Sequence, residues 1–241
     1  VLYVVQVNLF SLIILSFTLV RVGFLPHPSS LSKRLFYGML VTTMMVVFAD
    51  LVLQFFNMNP AFYARVINIG LTNLFYVLNP LPAFFWTIYL DYQIHRDQMR
   101  STRLLKILSA PLVLIALLTV WSNQSGFLFS IDSANVYARG SGFMVLTMVM
   151  ICYMLLPLFQ VLYYRKKVQP FLALMVLLVS TPALIGGMIQ AFFFGVYTLW
   201  ASVSISILIM YLNYEDRTGI FDRLRQNASR SHLDRDIWNR D

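Results

Sequence analysis

Asp50 and Gln54 stand four residues apart in an otherwise apolar stretch, a spacing that sets both on one face of a helix. A carboxylate beside an amide offers both hydrogen-bond acceptors and donors, and an arginine can hold an anionic group through two parallel bonds. Arg65, Asn68, Tyr137, Arg139 and Gln190 are residues of the same kind, and with Asp50 and Gln54 they are expected to line a polar chamber for a small ligand. Gln6, Asn8 and Asn73 fall toward the same side. The competing expectation for each residue alone is a hydrogen bond between helices, which is how Asn, Gln and Ser usually serve in membrane helices. Metal and nucleophile chemistry are not expected. Cys152 is the single cysteine, and His27, His95 and His232 are dispersed, so no catalytic residue, metal site or cofactor is assigned and the chain is not read as an enzyme.

The elements that must position these residues are legible from hydropathy. The chain has 241 residues, of which 59% are hydrophobic and 12% charged, about half the charge of an ordinary soluble domain. Its apolar residues come in blocks of about twenty, the length that crosses ~30 Å of hydrocarbon. Seven such runs are expected as helices: Tyr3–Val22, Phe36–Phe56, Val66–Ile94, Leu104–Trp121, Phe143–Tyr164, Phe171–Phe194 and Leu199–Tyr214. The fold class is therefore an all-α polytopic membrane protein, a seven-transmembrane-helix bundle over 1–214 with a charged tail at 215–241. The first run lacks a basic leader region and a small-residue cleavage site, and is read as a retained span. Asn79-Pro80 and Pro82 predict a kink in the third run, because proline removes a backbone donor. Asn79 and Pro80, with Asp91 at the inner end of that run near His95 and Arg96, are candidates for signal transmission.

Charge orients the bundle. Sixteen of the eighteen Lys and Arg fall in alternate loops and the tail, and only Arg65 and Arg139 lie on the opposite side. The positive-inside rule puts the sixteen in the cytoplasm, the N-terminus outside and the C-terminus inside. A net charge of +8 then reflects topology and attraction to anionic membrane lipids, not nucleic-acid binding. No lysine lies in the seventh run and no span carries an arginine ladder, which excludes a retinal Schiff base and a voltage sensor. In the tail, Phe221, Leu224 and Ala228 recur at helical spacing and predict an amphipathic linker helix, a short coiled coil or a membrane-surface helix.

The stretch Leu78-Asn79-Pro80-Leu81-Pro82, running through Trp86 and Tyr89 to Leu90-Asp91-Tyr92-Gln93-Ile94, resembles a block in the multi-span sensor region that precedes diguanylate cyclase (GGDEF) domains of bacteria, chiefly Gram-positive ones. Ala64-Arg65-Val66-Ile67-Asn68, Asn135-Val136-Tyr137-Ala138-Arg139-Gly140 and Tyr211-Leu212-Asn213 are similar to further parts of it, so the resemblance runs from about residue 50 to 213. Glu215–Arg223 is reminiscent of the opening of such a cyclase: Thr218, Gly219 and Arg223 match, while Arg217 replaces an apolar position. The residues after Arg223 contain no Gly-Gly-Asp/Glu-Glu-Phe signature. The resemblance implies a multi-pass protein of the bacterial plasma membrane, a homodimer, and a cytoplasmic output in cyclic di-GMP signalling.

The leading expectation is a receptor or sensor module. A small-molecule or lipid-like ligand enters the outer-leaflet chamber, and the seventh helix passes the change to a cytoplasmic output domain. The alternative is a small-molecule or lipid transporter using the same chamber.

Overall fold

The computed structural model describes residues 2–23, 31–193 and 197–212, and the tail expected to form a linker helix lies outside them, with Asn213, Tyr214 and the cyclase-like stretch. In chain order the elements are α1 (Leu2–Gly23), α2 (Leu31–Phe56), α3 (Phe62–Leu78), α4 (Leu81–His95), α5 (Gln98–Ser125), β1 (Phe129–Ile131), β2 (Tyr137–Arg139), α6 (Phe143–Tyr163), α7 (Pro170–Phe192) and α8 (Leu199–Leu212). Five of these helices, α1, α2, α5, α6 and α7, are long and apolar enough to cross a membrane. Their outer surfaces are what hydrocarbon requires: Ile13, Phe17, Phe48, Leu117, Met148 and Leu162 are all exposed. Only 11% of the apolar stretch of α5 is buried within the protein, so that helix would present a continuous greasy face to water.

Each expected apolar run coincides with helix, but the third is two helices. Pro80 has no N–H to offer the carbonyl of Tyr76, and the ladder breaks there. Asn79 and Pro80 nevertheless keep right-handed helical dihedrals, with Asn79 N donating to Phe75 O at 2.9 Å and Phe84 N to Pro80 O at 3.1 Å. The chain thus continues in the helical sense through the break instead of reversing. At the end of α4, Arg96 adopts a left-handed conformation (φ 53°), and Asp97 then caps α5 by accepting from Met99 N and Arg100 N at 2.9 and 3.1 Å.

The all-α expectation misses one feature. After Gly126 (φ 67°) ends α5, β1 and β2 pair antiparallel, with Phe129 opposite Arg139, Ser130 opposite Ala138 and Ile131 opposite Tyr137. Three-residue strands are too short to show an alternating pattern, which is why sequence periodicity does not reveal them.

α2 lies at the centre, packed against α1, α3 and α4, while α4 also contacts α5 and α6, and α6 contacts α7. One large core fills this bundle, and a smaller one around Tyr76, Ile115, Leu128, Phe129 and Leu146 sits under the hairpin. A proline inside a helix leaves a carbonyl that a neighbour can satisfy. Pro157 deprives Tyr153 O of its helical donor, and the Thr87 hydroxyl of α4 donates to that oxygen at 2.7 Å. Gly186 of α7 lets α8 approach closely: a Cβ there would come within 2.5 Å of Ser202 Oγ.

Candidate functional site

Asp50, near the C-terminal end of α2, is buried and accepts a hydrogen bond from Asn8 Nδ2 of α1 at 2.8 Å. The other end of the amide, Asn8 Oδ1, is buried and has no hydrogen-bond partner among the described residues. Tyr197, just before α8, lies within electrostatic reach of both Asp50 and Arg139. Arg139 in turn stacks its guanidinium 4.5 Å from the Phe143 ring centroid and acts on Tyr137. Burial pushes the Tyr137 phenol above its ordinary range, partly offset by its hydrogen bond to Tyr76 and by Arg139. Burial likewise raises the Tyr197 phenol, and the nearby Asp50 carboxylate adds to that effect. Both groups are therefore neutral hydroxyls at physiological pH, able to donate and to accept. Through Tyr197, Asp50, Arg139 and Tyr137 make up a loose cluster of unlike polar groups toward the hairpin end of the bundle.

Other residues chosen from the sequence have different partners. Asn68 Nδ2 donates to Asn135 Oδ1 at 2.8 Å, and Asn135 Nδ2 reaches Phe56 O and Asn59 O at 2.7 and 2.9 Å. Arg65 Nε donates to Asp132 O at 3.1 Å, and its terminal nitrogen approaches Ile131 O at 3.5 Å. Together these bonds clamp the hairpin turn onto the α2–α3 connection. Gln190 Oε1 accepts from Leu199 N at 3.2 Å and so satisfies a backbone donor at the start of α8. Gln54 is half-buried on the face of α2 expected for it.

At the C-terminal end of α4 Asp91 is fully buried. Arg100 Nε lies 3.1 Å from Asp91 Oδ1, His95 Nδ1 lies 3.2 Å from the same oxygen, and Ser101 Oγ approaches Oδ2 at 3.5 Å. Arg100 also donates to the Tyr164 hydroxyl at 3.3 Å, which ties α4 and α5 to the end of α6.

A second recess lies mid-bundle. Asn79 and Pro82 at the kink, Trp86, and residues of α2, α6, α7 and α8 enclose a cavity of about 520 Å³, counting the part open to the outside of the bundle. Sequence reasoning chose Asn79 for transmission and did not identify Trp86, Trp200 and Ser206 as its companions. No pattern within one helix could have brought them together. Tyr197 and Tyr76 were also missed, since isolated tyrosines in apolar runs carry no signal of their partners. No group of three or more His, Cys, Asp or Glu able to hold a metal occurs among the described residues. No family model, no curated protein and no solved structure matches the chain, so the site is interpreted from its own geometry.

Proposed function

We propose that the chain is the sensing module of a bacterial plasma-membrane receptor, with seven spans, the N-terminus outside and the C-terminus in the cytoplasm. In this reading α3 and α4 together make the third crossing and α8 the seventh. A small ligand enters the outer polar cluster, and the displacement passes along α8 to a cytoplasmic output, by resemblance a diguanylate cyclase acting as a homodimer. The observation that carries the reading is the Asp50–Asn8 pair. A carboxylate buried among apolar helices and bonded by a neutral amide is costly to keep, and such groups mark functional positions in membrane proteins. A ligand bearing a hydrogen-bond donor would engage Asp50, with Asn8 Oδ1 at the other end of the amide that bonds it and Tyr197 within electrostatic reach.

The ion pair at Asp91 and the kink at Asn79-Pro80 support transmission, because both lie where helices meet on the path from the outer cluster to the inner end. Binding shifts a bundle between two states only by its differential affinity for them. The test is a thermal-shift screen of the purified protein against small polar compounds, with liposome uptake measured for any hit. Asp50→Asn and Arg139→Ala are each expected to weaken the hit at least tenfold while leaving the unliganded melting temperature within a few degrees. A hit that is carried across the bilayer would replace the receptor by a transporter, and unchanged affinity in both variants would remove the outer cluster as its site.

A further inference from the structure

The mid-bundle cavity is separate from the outer cluster and has a different chemistry. Its lining includes no charged residue. Trp86, Trp200, Met150 and Met154 supply flat and polarizable apolar surface. Two polar atoms break that surface: Asn79 Oδ1 and Ser206 Oγ are buried, with residue exposures of 7% and 2%, and neither has a hydrogen-bond partner among the described residues. Ser206 is an exception to the habit of this bundle. Ser11, Thr18, Thr43, Thr119 and Ser204 each donate to the carbonyl one turn earlier at 2.7–2.8 Å, which is the cheap local solution for a hydroxyl in a membrane helix. Trp86 Nε1 is occupied by Ser180 Oγ at 3.1 Å, so the indole contributes its ring and not its donor.

We propose that this cavity, from Asn79 and Ser206 to Trp86 and Trp200, binds a neutral amphiphile with an apolar body and a single hydroxyl, an alcohol or a phenol taken from the membrane. The amide oxygen can only accept, so a ligand that satisfies it must donate; the serine hydroxyl can donate to or accept from the ligand's hydroxyl. Anions and cations are rejected, because nothing in the wall compensates their desolvation. Asn79 and Pro82 also place the ligand against the break between α3 and α4, so occupancy bears directly on the kink. The inference does not rest on the outer cluster being a ligand site.

The experiment uses the full chain carrying Trp121→Phe and Trp238→Phe in phosphatidylcholine nanodiscs, so that Trp86 and Trp200 are the fluorescent reporters. The probes are para-bromophenol, para-bromoanisole, which has the same ring and no donor, and omega-bromoundecanol, each a contact quencher of indole. Saturable quenching is expected from at least one of the two hydroxyl probes, at least tenfold tighter than from the anisole. The phenol or the alkanol, whichever binds, identifies a compact aromatic or an alkyl body. Ser206→Ala and Asn79→Leu are expected to shrink the preference over the anisole; Ser206→Ala, the smaller change, keeps the test informative if Asn79→Leu fails to fold. Non-saturable quenching by all three probes would overturn the proposal, as would a preference that Ser206→Ala leaves intact.

Discussion

Arg100 reaches Asp91 from one turn into α5, and the two residues are unequal partners: the carboxylate is fully buried and the guanidinium side chain is 42% exposed. Removing the arginine leaves the buried acid to His95 and Ser101, whereas removing both charges restores a neutral interior. Arg100→Ala is expected to destabilise the bundle by about 2 kcal/mol, below the ~3–5 of a fully buried pair because Arg100 is partly solvated. Asp91→Asn combined with Arg100→Ala is expected to recover most of that loss, measured by denaturation in mixed detergent micelles. Strict additivity of the two changes would show that the pair is not coupled. Asp50 and Asp91 illustrate how far sequence goes at this scale. Both stand out as acids in apolar runs, and that much is legible from residue type alone. Their partners are not, because Asn8 belongs to a different span from Asp50, and Arg100 counts in sequence only as one more inner-side basic residue.

Two adjacent glycines on α7 make opposite predictions about how helices meet. A Cβ on Gly186 would lie 2.5 Å from Ser202 Oγ, 2.9 Å from its Cβ and 3.2 Å from Thr198 O, so α8 would have to move away. A Cβ on Gly187 meets Leu199 Cδ1 at 3.4 Å, which is tight but at the end of a flexible side chain. Gly186→Ala is expected to cost about 1–3 kcal/mol through overpacking, with partial rescue by Ser202→Gly, while Gly187→Ala stays close to the parent in thermal melting. Equal effects at both positions would contradict this packing. The helices themselves were readable because twenty apolar residues in succession have few other fates. The break at Asn79-Pro80 was readable because proline lacks an N–H. The β1–β2 hairpin, the Asn135 clamp and the cavity were not, since each depends on contacts between segments far apart in the chain rather than on any local spacing.

At the scale of the whole molecule, orientation is the property that gives the rest its direction. In a Cys152→Ser background, Ser133→Cys in the exposed hairpin turn is expected to react with a membrane-impermeant maleimide in intact cells. Lys166→Cys, between α6 and α7, should react only after permeabilisation. The reverse pattern would turn the protein over and put the outer cluster in the cytoplasm. The same turn has another property. Arg65 holds the carbonyls of Ile131 and Asp132 on one side of Ser133-Ala134, and Asn135 bonds to Asn68, Phe56 and Asn59 on the other. Both flanks of the exposed peptide bond are anchored to α3 or its connection independently of one another. Covalent continuity between Ser133 and Ala134 is therefore dispensable: two polypeptides, 1–133 and 134–241, co-expressed as separate genes, are expected to find each other in the membrane and co-purify as one bundle.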